Sequence, residues 1–189
     1  MSKFFAFIYR MKYISRWSLM RNTRQENVAE HSYHVAVLAN ALAVISRDVF
    51  GKNIDPARVA ASALYHDMPE ILTGDLPTPI KYYGKDIKDA YKRIEREAEE
   101  KLLATLTDEM RKGISEYAEM RDEEIKRLVR AADKLDAHIK CCEEVNAGNR
   151  DFRDAKKQTL SALGKLDLPE VDYFIKYYLP AFDMTVDEL

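Results

Sequence analysis

A cap signal at Asn27, followed three residues later by Glu30, opens a helical stretch that runs from about Val28 to Val49 and stops near Gly51. Its apolar residues Val35, Leu38, Ala39, Leu42 and Ile45 recur at helical spacing along one stripe. A one-sided helix of this length has to bury that stripe against other secondary structure. No pair of alternating β-branched runs joined by a hairpin turn offers a sheet, and Ala, Leu, Glu, Lys, Arg and Met dominate the other long segments. The pattern predicts an all-α fold.

Asp55-Pro56 starts a second helix, with Asp as cap and Pro at the first helical position; it carries Val59, Ala60, Ala63 and Leu64 and reaches His66-Asp67. From Met68 to Gly84 the breakers Pro69, Gly74, Pro77, Pro79 and Gly84 predict a structured loop, and long loops inside compact domains are often functional. Helices follow over about Asp86–Leu106, Asp108–Tyr117, Asp122–Ala147, Asp151–Leu163 and Glu170–Leu179. The charges of the first of these read as a solvated face with i,i+4 pairing.

The chain has 189 residues, which suits one domain over 1–189, and neither a repeat nor a linker divides it. Apolar residues make up 47%, too many for a disordered chain. The 30 basic and 32 acidic side chains nearly cancel, so there is no basic footprint for a nucleic-acid polymer. No apolar run approaches the ~18 residues that span a bilayer. The apolar start, Phe4 to Tyr9, is interrupted by Arg10 and Lys12 before a signal-peptide core forms, which predicts a cytoplasmic protein without a membrane partner. Cys141 and Cys142 are neighbours, lack zinc-site spacing, and read as reduced thiols.

Chemistry concentrates around the four histidines and a few carboxylates. His66-Asp67, at a helix end, offers an imidazole and a carboxylate that suit a divalent cation; alone, the pair fits a C-terminal histidine on the helix dipole equally well. His31 and His34 lie near a cap, where a surface histidine is the plainer account. Asp133 and Asp136 sit beside the apolar stripe Ile125, Leu128, Val129, Ala132 and Ile139. A carboxylate there needs a partner, either a metal or a cation such as Arg130, Lys134 or Lys140, and periodicity does not choose between the two aspartates.

The ordered set His…His-Asp…Asp, each part on a different helix or helix end, is far more specific than any of its members. It resembles the HD superfamily of metal-dependent phosphohydrolases. The flanking residues Arg16-Trp17, Glu26 to Ser32, Tyr65-His66-Asp67, Glu70, Leu72 to Pro79 and Ala132-Asp133 resemble the bacterial 5′-deoxynucleotidases among them, over nearly the whole chain. That resemblance implies a single HD domain hydrolysing deoxyribonucleoside 5′-monophosphates to deoxyribonucleosides and phosphate. It implies one divalent metal ion (cobalt, manganese, zinc, nickel, iron or magnesium) on His31, His66, Asp67 and Asp133, and it selects Asp133 over Asp136. Arg16 would grip the phosphate and Trp17 the nucleotide, with His31 and Asp133 also facing the substrate. Asp75-Leu76-Pro77-Thr78 would bind the sugar, with Asp75 near a hydroxyl, and Glu70 would act beside the metal. The family tends to form homodimers. The alternatives are HD hydrolysis of a triphosphate, cyclic nucleotide or alarmone, or a non-catalytic nucleotide-binding module pinned by a metal.

Overall fold

The computed structural model describes every residue except Tyr82, together with the backbone but not the side chain of Thr78. The described residues are helical, with no strand and a single isolated antiparallel bridge between Ser15 and Asn27. In chain order the helices are α1 (Phe4–Ile8), α2 (Val28–Val44), α3 (Pro56–Ala63), α4 (Glu70–Thr73), α5 (Thr78–Lys81), α6 (Lys85–Leu103), α7 (Asp108–Ala118), α8 (Glu123–Asn146), α9 (Arg153–Gly164) and α10 (Pro169–Tyr177). Short 3-10 turns cover Tyr9–Tyr13, Arg150–Phe152 and Leu179–Asp183.

The cap at Asn27 forms as a full capping box: Asn27 Oδ1 accepts from the Ala29 and Glu30 amides at 3.0 Å, and Glu30 Oε2 accepts from the Asn27 amide at 3.3 Å. Such a cap is worth about 1 kcal/mol. Past Val44 the helix widens into a π-type turn over Ile45–Val49, and Gly51 ends it at φ +67°. Asp55 and Asp122 cap α3 and α8 in the same way, each accepting from two amides.

Helices α2, α3 and α8 form the centre. Val35, Ala39 and Leu42 of α2, Val59 and Ala63 of α3, and Leu128, Ala131, Ala132 and Leu135 of α8 are fully buried in one core, which α9 and α10 close with Leu163, Val171 and Phe174. By length and composition Val28–Val49 is apolar enough to cross a membrane, contrary to the sequence expectation. The stripe that makes it so is the one buried in this core. Phe4, Met68, Leu102, Leu103, Leu106 and Ala118 form a second cluster, so the N-terminal segment docks on its own domain through Phe4.

Two departures matter for function. Helix α3 stops at Ala63 instead of carrying on to Asp67. The Tyr65, His66 and Met68 amides bond three residues back, to Ser62, Ala63 and Tyr65, as a tight winding toward buried Met68 and helix-breaking Pro69 requires. The segment Met68–Gly84 is not a plain loop, because it winds into the single turns α4 and α5. Between them Gly74 adopts φ +72°, ψ 165°, a conformation open essentially to glycine alone. Cys141 and Cys142 are buried free thiols, and burial pushes Cys141 up to about 12, well away from thiolate chemistry.

Candidate active site

The mouth of the central helices gathers His31 from the first turn of α2, His66 and Asp67 from the wound-down end of α3, and Asp133 from the middle of α8. Adjacent side chains on a regular helix do not face each other, but past Ala63 the winding is no longer α-helical, and His66 Nε2 meets Asp67 Oδ2 at 3.1 Å. His31 Nε2 lies 3.4 Å from Asp67 Oδ2, 3.3 Å from Asp133 Oδ1 and 3.3 Å from His66 Nε2. His31 is fully buried, so it is no surface histidine beside a cap.

The tautomers follow from the outer partners. His66 Nδ1 lies 2.7 Å from the Ala63 carbonyl, which can only accept, so Nδ1 carries the hydrogen. His31 Nδ1 lies 2.6 Å from Asp136 Oδ2 and donates to it. Both Nε2 atoms then turn lone pairs toward each other with two carboxylate oxygens close by. Four acceptors in such proximity repel unless positive charge lies among them, either a bound divalent cation or, failing that, the proton that His31 Nε2 takes up between Asp67 and Asp133. Their separations of 3.1–3.4 Å are those that metal–donor bonds of about 2.0–2.2 Å impose on neighbouring ligands. The carboxylates draw positive charge to this point. Burial and Arg16 push the His31 imidazole down, yet the hydrogen bonds it donates to Asp133, Asp136 and Asp67 overcome them and raise it well above its usual range. Burial alone would raise Asp133, but His31 holds it down at about 2; Asp67 is likewise depressed, by His66 and His31.

Arg16 and Trp17 flank this cluster from the segment before α2. The bridge to Asn27 holds them there, with the Arg16 amide donating to the Glu26 carbonyl at 3.0 Å. Glu26 Oε2 then accepts from both Arg16 Nε and Trp17 Nε1, each at 3.0 Å, and Arg16 Nη1 approaches Asp67 Oδ2 at 3.5 Å. Trp17 packs its ring against Phe152, with centroids 5.3 Å apart, and adopts φ +56°. A non-glycine residue in that region stores about 1–3 kcal/mol and persists only where its surroundings hold it.

Glu70 opens α4 and is buried, and its Oε2 has no hydrogen-bond partner. Burial, reinforced by Asp67 and Asp75, pushes its carboxyl up to about 9 against the pull of Arg16 and Lys81. Burial likewise raises half-buried Asp75, which is close enough to feel Arg16, Asp67 and His31. A cleft of about 710 Å³ opens from His66, Asp67, Glu70 and Asp133 and extends between α6 and α8. That volume suits a small-molecule ligand. Arg16, Trp17, Asp75, Leu76 and Pro77 do not line this cleft; the Pro77 carbonyl accepts from the Ile80 and Lys81 amides. The expected sugar contact of Thr78 lies outside the described residues.

The structure separates the two aspartates that periodicity left open. Asp133 faces the His31 Nε2 side and Asp136 the Nδ1 side. Lys140, offered as a salt-bridge partner for them, pairs with Glu144. His34 stays half exposed outside the cluster, 3.5 Å from Asp136. Sequence reasoning missed Glu26 as the shared acceptor and Asp136 as the orienting group. Only the i,i+3 spacing of Asp133 and Asp136 on one helix face hinted at the second. Glu26, His31 and Asp136 form another group of converging donors, but their atoms are already engaged by Arg16, Trp17 and one another.

Comparison with known proteins points the same way. A 5′-deoxynucleotidase of Vibrio vulnificus is 46% identical over 190 residues, covering 100% of this chain and 98% of that protein. A 5′-deoxynucleotidase of Erwinia tasmaniensis is 46% identical over 193 residues, covering 100% and 96%. Among solved structures, an HD-domain phosphohydrolase of Listeria innocua superposes with a TM-score of 0.82 at 21% identity, over 95% of this chain and 88% of that one. An HD phosphohydrolase of cyanophage S-2L, bound to dA and one catalytic zinc ion, gives 0.69 at 22% identity over 95% and 96%. These two establish the fold, which is the helical HD domain that the order of the histidines and aspartates implied. The family model described as 5′-deoxynucleotidase YfbR-like matches residues 3–182, and the chain belongs to that family.

Proposed function

We propose that the protein hydrolyses deoxyribonucleoside 5′-monophosphates to deoxyribonucleosides and phosphate, using a divalent cation held by His31, His66, Asp67 and Asp133. The observation that carries this reading is the convergence of two imidazole lone pairs and two carboxylates, beside an arginine aimed at the same point. A cation bound there supplies Lewis-acid charge at the phosphate and lowers the pKa of an adjacent water. Water then attacks phosphorus, the bond to the 5′ oxygen breaks, and that oxygen takes up a proton.

The side chains divide the remaining work. Glu26 occupies Arg16 Nε and so turns the Nη edge toward the cluster, where it can grip two phosphate oxygens. Trp17, braced on Phe152 and tied to Glu26, presents indole surface to the nucleotide. Glu70 holds a proton at neutral pH. A cation held by the cluster would pull its pKa down toward the range where one group both takes a proton from water and returns one to the leaving oxygen. Asp75 accepts from the 3′ hydroxyl, in a sugar site where a 2′ hydroxyl would clash or stay unpaired. The reading extends to a cytoplasmic homodimer acting on free mononucleotides and not on nucleic-acid polymers. Exposed Phe5, Tyr9 and Tyr13 are apolar surface that a second copy would cover.

Phosphate release from matched deoxy- and ribonucleoside 5′-monophosphates, on chelated protein resupplied with cobalt or manganese, tests the reading. Release is expected from the deoxy substrates only, and Asp75→Ala should narrow the gap by about tenfold or more. No release from any monophosphate under any cation sinks the assignment. Equal release from both sugars in the unaltered protein removes the role given to Asp75.

The outer partner of His31 gives a second expectation. Asp136→Asn keeps the volume but weakens the carboxylate that fixes the ring. The cation should bind about 10–100-fold more weakly, with full turnover regained at higher cation concentration. Unchanged affinity by calorimetric titration would show that the Asp136 contact does not matter to the cluster.

A further inference from the structure

The helix that carries Asp133 and Asp136 also carries a buried ion pair that the reaction does not use. Lys140 and Glu144 are both buried near the C-terminal end of α8, joined at 2.5 Å. Positions 133, 136, 140 and 144 follow one another at i, i+3, i+7 and i+11, so the four side chains share one stripe. Glu144 spends its remaining acceptor capacity on the segment that bears Arg16 and Trp17. Its Oε2 takes hydrogen bonds from the Thr23 amide (2.9 Å), the Thr23 hydroxyl (2.7 Å) and Asn149 Nδ2 (2.8 Å), and its Oε1 takes one from the Arg24 amide (3.3 Å). Lys140 Nζ also donates to the Arg24 carbonyl at 2.6 Å, and Asn149 Nδ2 to the Arg21 carbonyl at 2.6 Å. From that anchored tip Asn22 Nδ2 reaches back to the Trp17 carbonyl at 3.3 Å, while Phe152, just beyond α8, supports the indole.

A segment with no helix of its own, crossing buried ground, is therefore tied at both ends. Its neck is held by the short bridge to Asn27, and its tip is held on the buried side by the Glu144 carboxylate with Lys140 and Asn149, and at the surface by Arg21 pairing with Asp151. Thr23 and Arg24 are themselves exposed, so apolar burial does not hold them down. A carboxylate buried to this degree is costly unless its acceptors are filled, and here they are filled almost wholly by this segment and Lys140. The bonds hold its carboxyl at about 2 despite burial, so the anchor stays ionised across the neutral range.

We infer that Glu144, with Lys140, is a positioning residue for catalysis: α8 uses it to set Arg16 and Trp17 at a fixed distance from the cluster around Asp133. One rigid helix then registers the cation site and the phosphate- and nucleotide-contacting residues against each other. The inference rests on the nucleotidase reading for what Arg16 and Trp17 contact, but not for the clamp itself.

Trp17 is the sole tryptophan, so its fluorescence reports the segment directly. Glu144→Gln should raise KM for deoxyadenosine 5′-monophosphate by about tenfold or more, with a smaller fall in kcat, and should open Trp17 to acrylamide quenching. It also strands Lys140, which lowers Tm. The paired variant Lys140→Met with Glu144→Leu removes both charges and should recover much of the lost Tm. A merely structural pair would then also recover KM and quenching. A positioning pair would recover neither, and that is the expected result. Recovery of both to the values of the unaltered protein overturns the inference. If the paired variant does not fold, Asn149→Ala, which loosens the same tip from the surface side, decides. It should raise KM and quenching in the same direction, and no change in either overturns the inference. If the unaltered protein releases no phosphate, the nucleotidase reading fails, while the quenching comparison still decides whether Glu144 sets the position of Trp17.

Discussion

Asp67→Ala abolishes turnover and leaves the helices standing. Asp67 joins three neighbours through one atom: its Oδ2 touches His66 Nε2, His31 Nε2 and Arg16 Nη1 within 3.5 Å. Loss of an outer partner at a metal centre already costs about 10–100-fold, so with Asp67 a direct ligand, as proposed, its loss should reduce kcat/KM on the order of 10³-fold or more. The same atom balances Arg16, so the grip on phosphate is disturbed too. The core lies elsewhere. Leu42, Leu128, Leu135 and Leu163 are buried in a body of side chains that Asp67 does not enter. Far-ultraviolet circular dichroism of the chelated variant should match that of the chelated parent, with stability within about 1 kcal/mol. The sharpest contrast is with cation added. At 100 times its dissociation constant a bound ion stabilises by about 2.7 kcal/mol, so Tm of the parent should rise with cobalt or manganese while that of the variant stays put. The variant also separates an enzyme from a metal-pinned binding module. A pinned module would lose its helices on chelation and would show no turnover in the parent. Parental phosphate release that survives Asp67→Ala unchanged would place the chemistry outside this cluster.

What the sequence made legible follows the range of the forces involved. Asn27 and Asp55 cap helices through contacts two or three residues away, so a local reading found them; Asp122 caps α8 in the same way, where the sequence marked only the start of a helix. The stripe of α2 was legible because burial follows helical period, and its residues are those buried in the core. The end of α3 was not. Whether the chain continues helical to Asp67 depends on where Met68 is buried, and that is a tertiary fact. Yet this early ending is what lets His66 and Asp67, neighbours in sequence, share one point in space. Asp133 and Asp136 could not be ranked by periodicity, since both fall on the same face; the ring of His31 lies between them and gives each a different nitrogen. Glu26 was invisible because its link to Arg16 and Trp17 comes from a bridge of a single residue pair, too short to leave a strand pattern. Lys140 and Glu144 have the spacing of an ordinary surface pair. Residues 21–24, more than a hundred positions earlier, cross over them and help to bury them.

Glu70→Gln gives a slower protein and, once the cation is removed, a more stable one. In the folded chain the Glu70 carboxyl is raised to about 9 from an ordinary 4.5, first by burial and then by Asp67 and Asp75. As pH climbs above 4.5 the unfolded chain releases this proton while the folded chain keeps it. Folding is then progressively disfavoured until the folded group also titrates near 9, above which the penalty is constant. Stability contributed by this group is thus complete at low pH and is lost on the way up. At pH 7 the loss already amounts to something on the order of 3 kcal/mol. Glutamine keeps the shape and does not titrate, so chelated Glu70→Gln should lose this slope between pH 5 and 9. Near neutrality it should melt about 5–10 °C higher than the chelated parent. The gain is limited by the amide, which also needs partners where Oε2 now has none. On the proposed reading the same exchange removes the group that passes the proton between water and the 5′ oxygen, so kcat should fall by about 10²–10⁴ with KM little changed. The two effects share one cause. A carboxyl kept protonated among other acids destabilises the resting fold, and in the proposed mechanism the same perturbed group is the one that moves the proton. Matching pH–stability curves for parent and variant would show that Glu70 is not perturbed, and a parental kcat in the variant would show that it carries no proton.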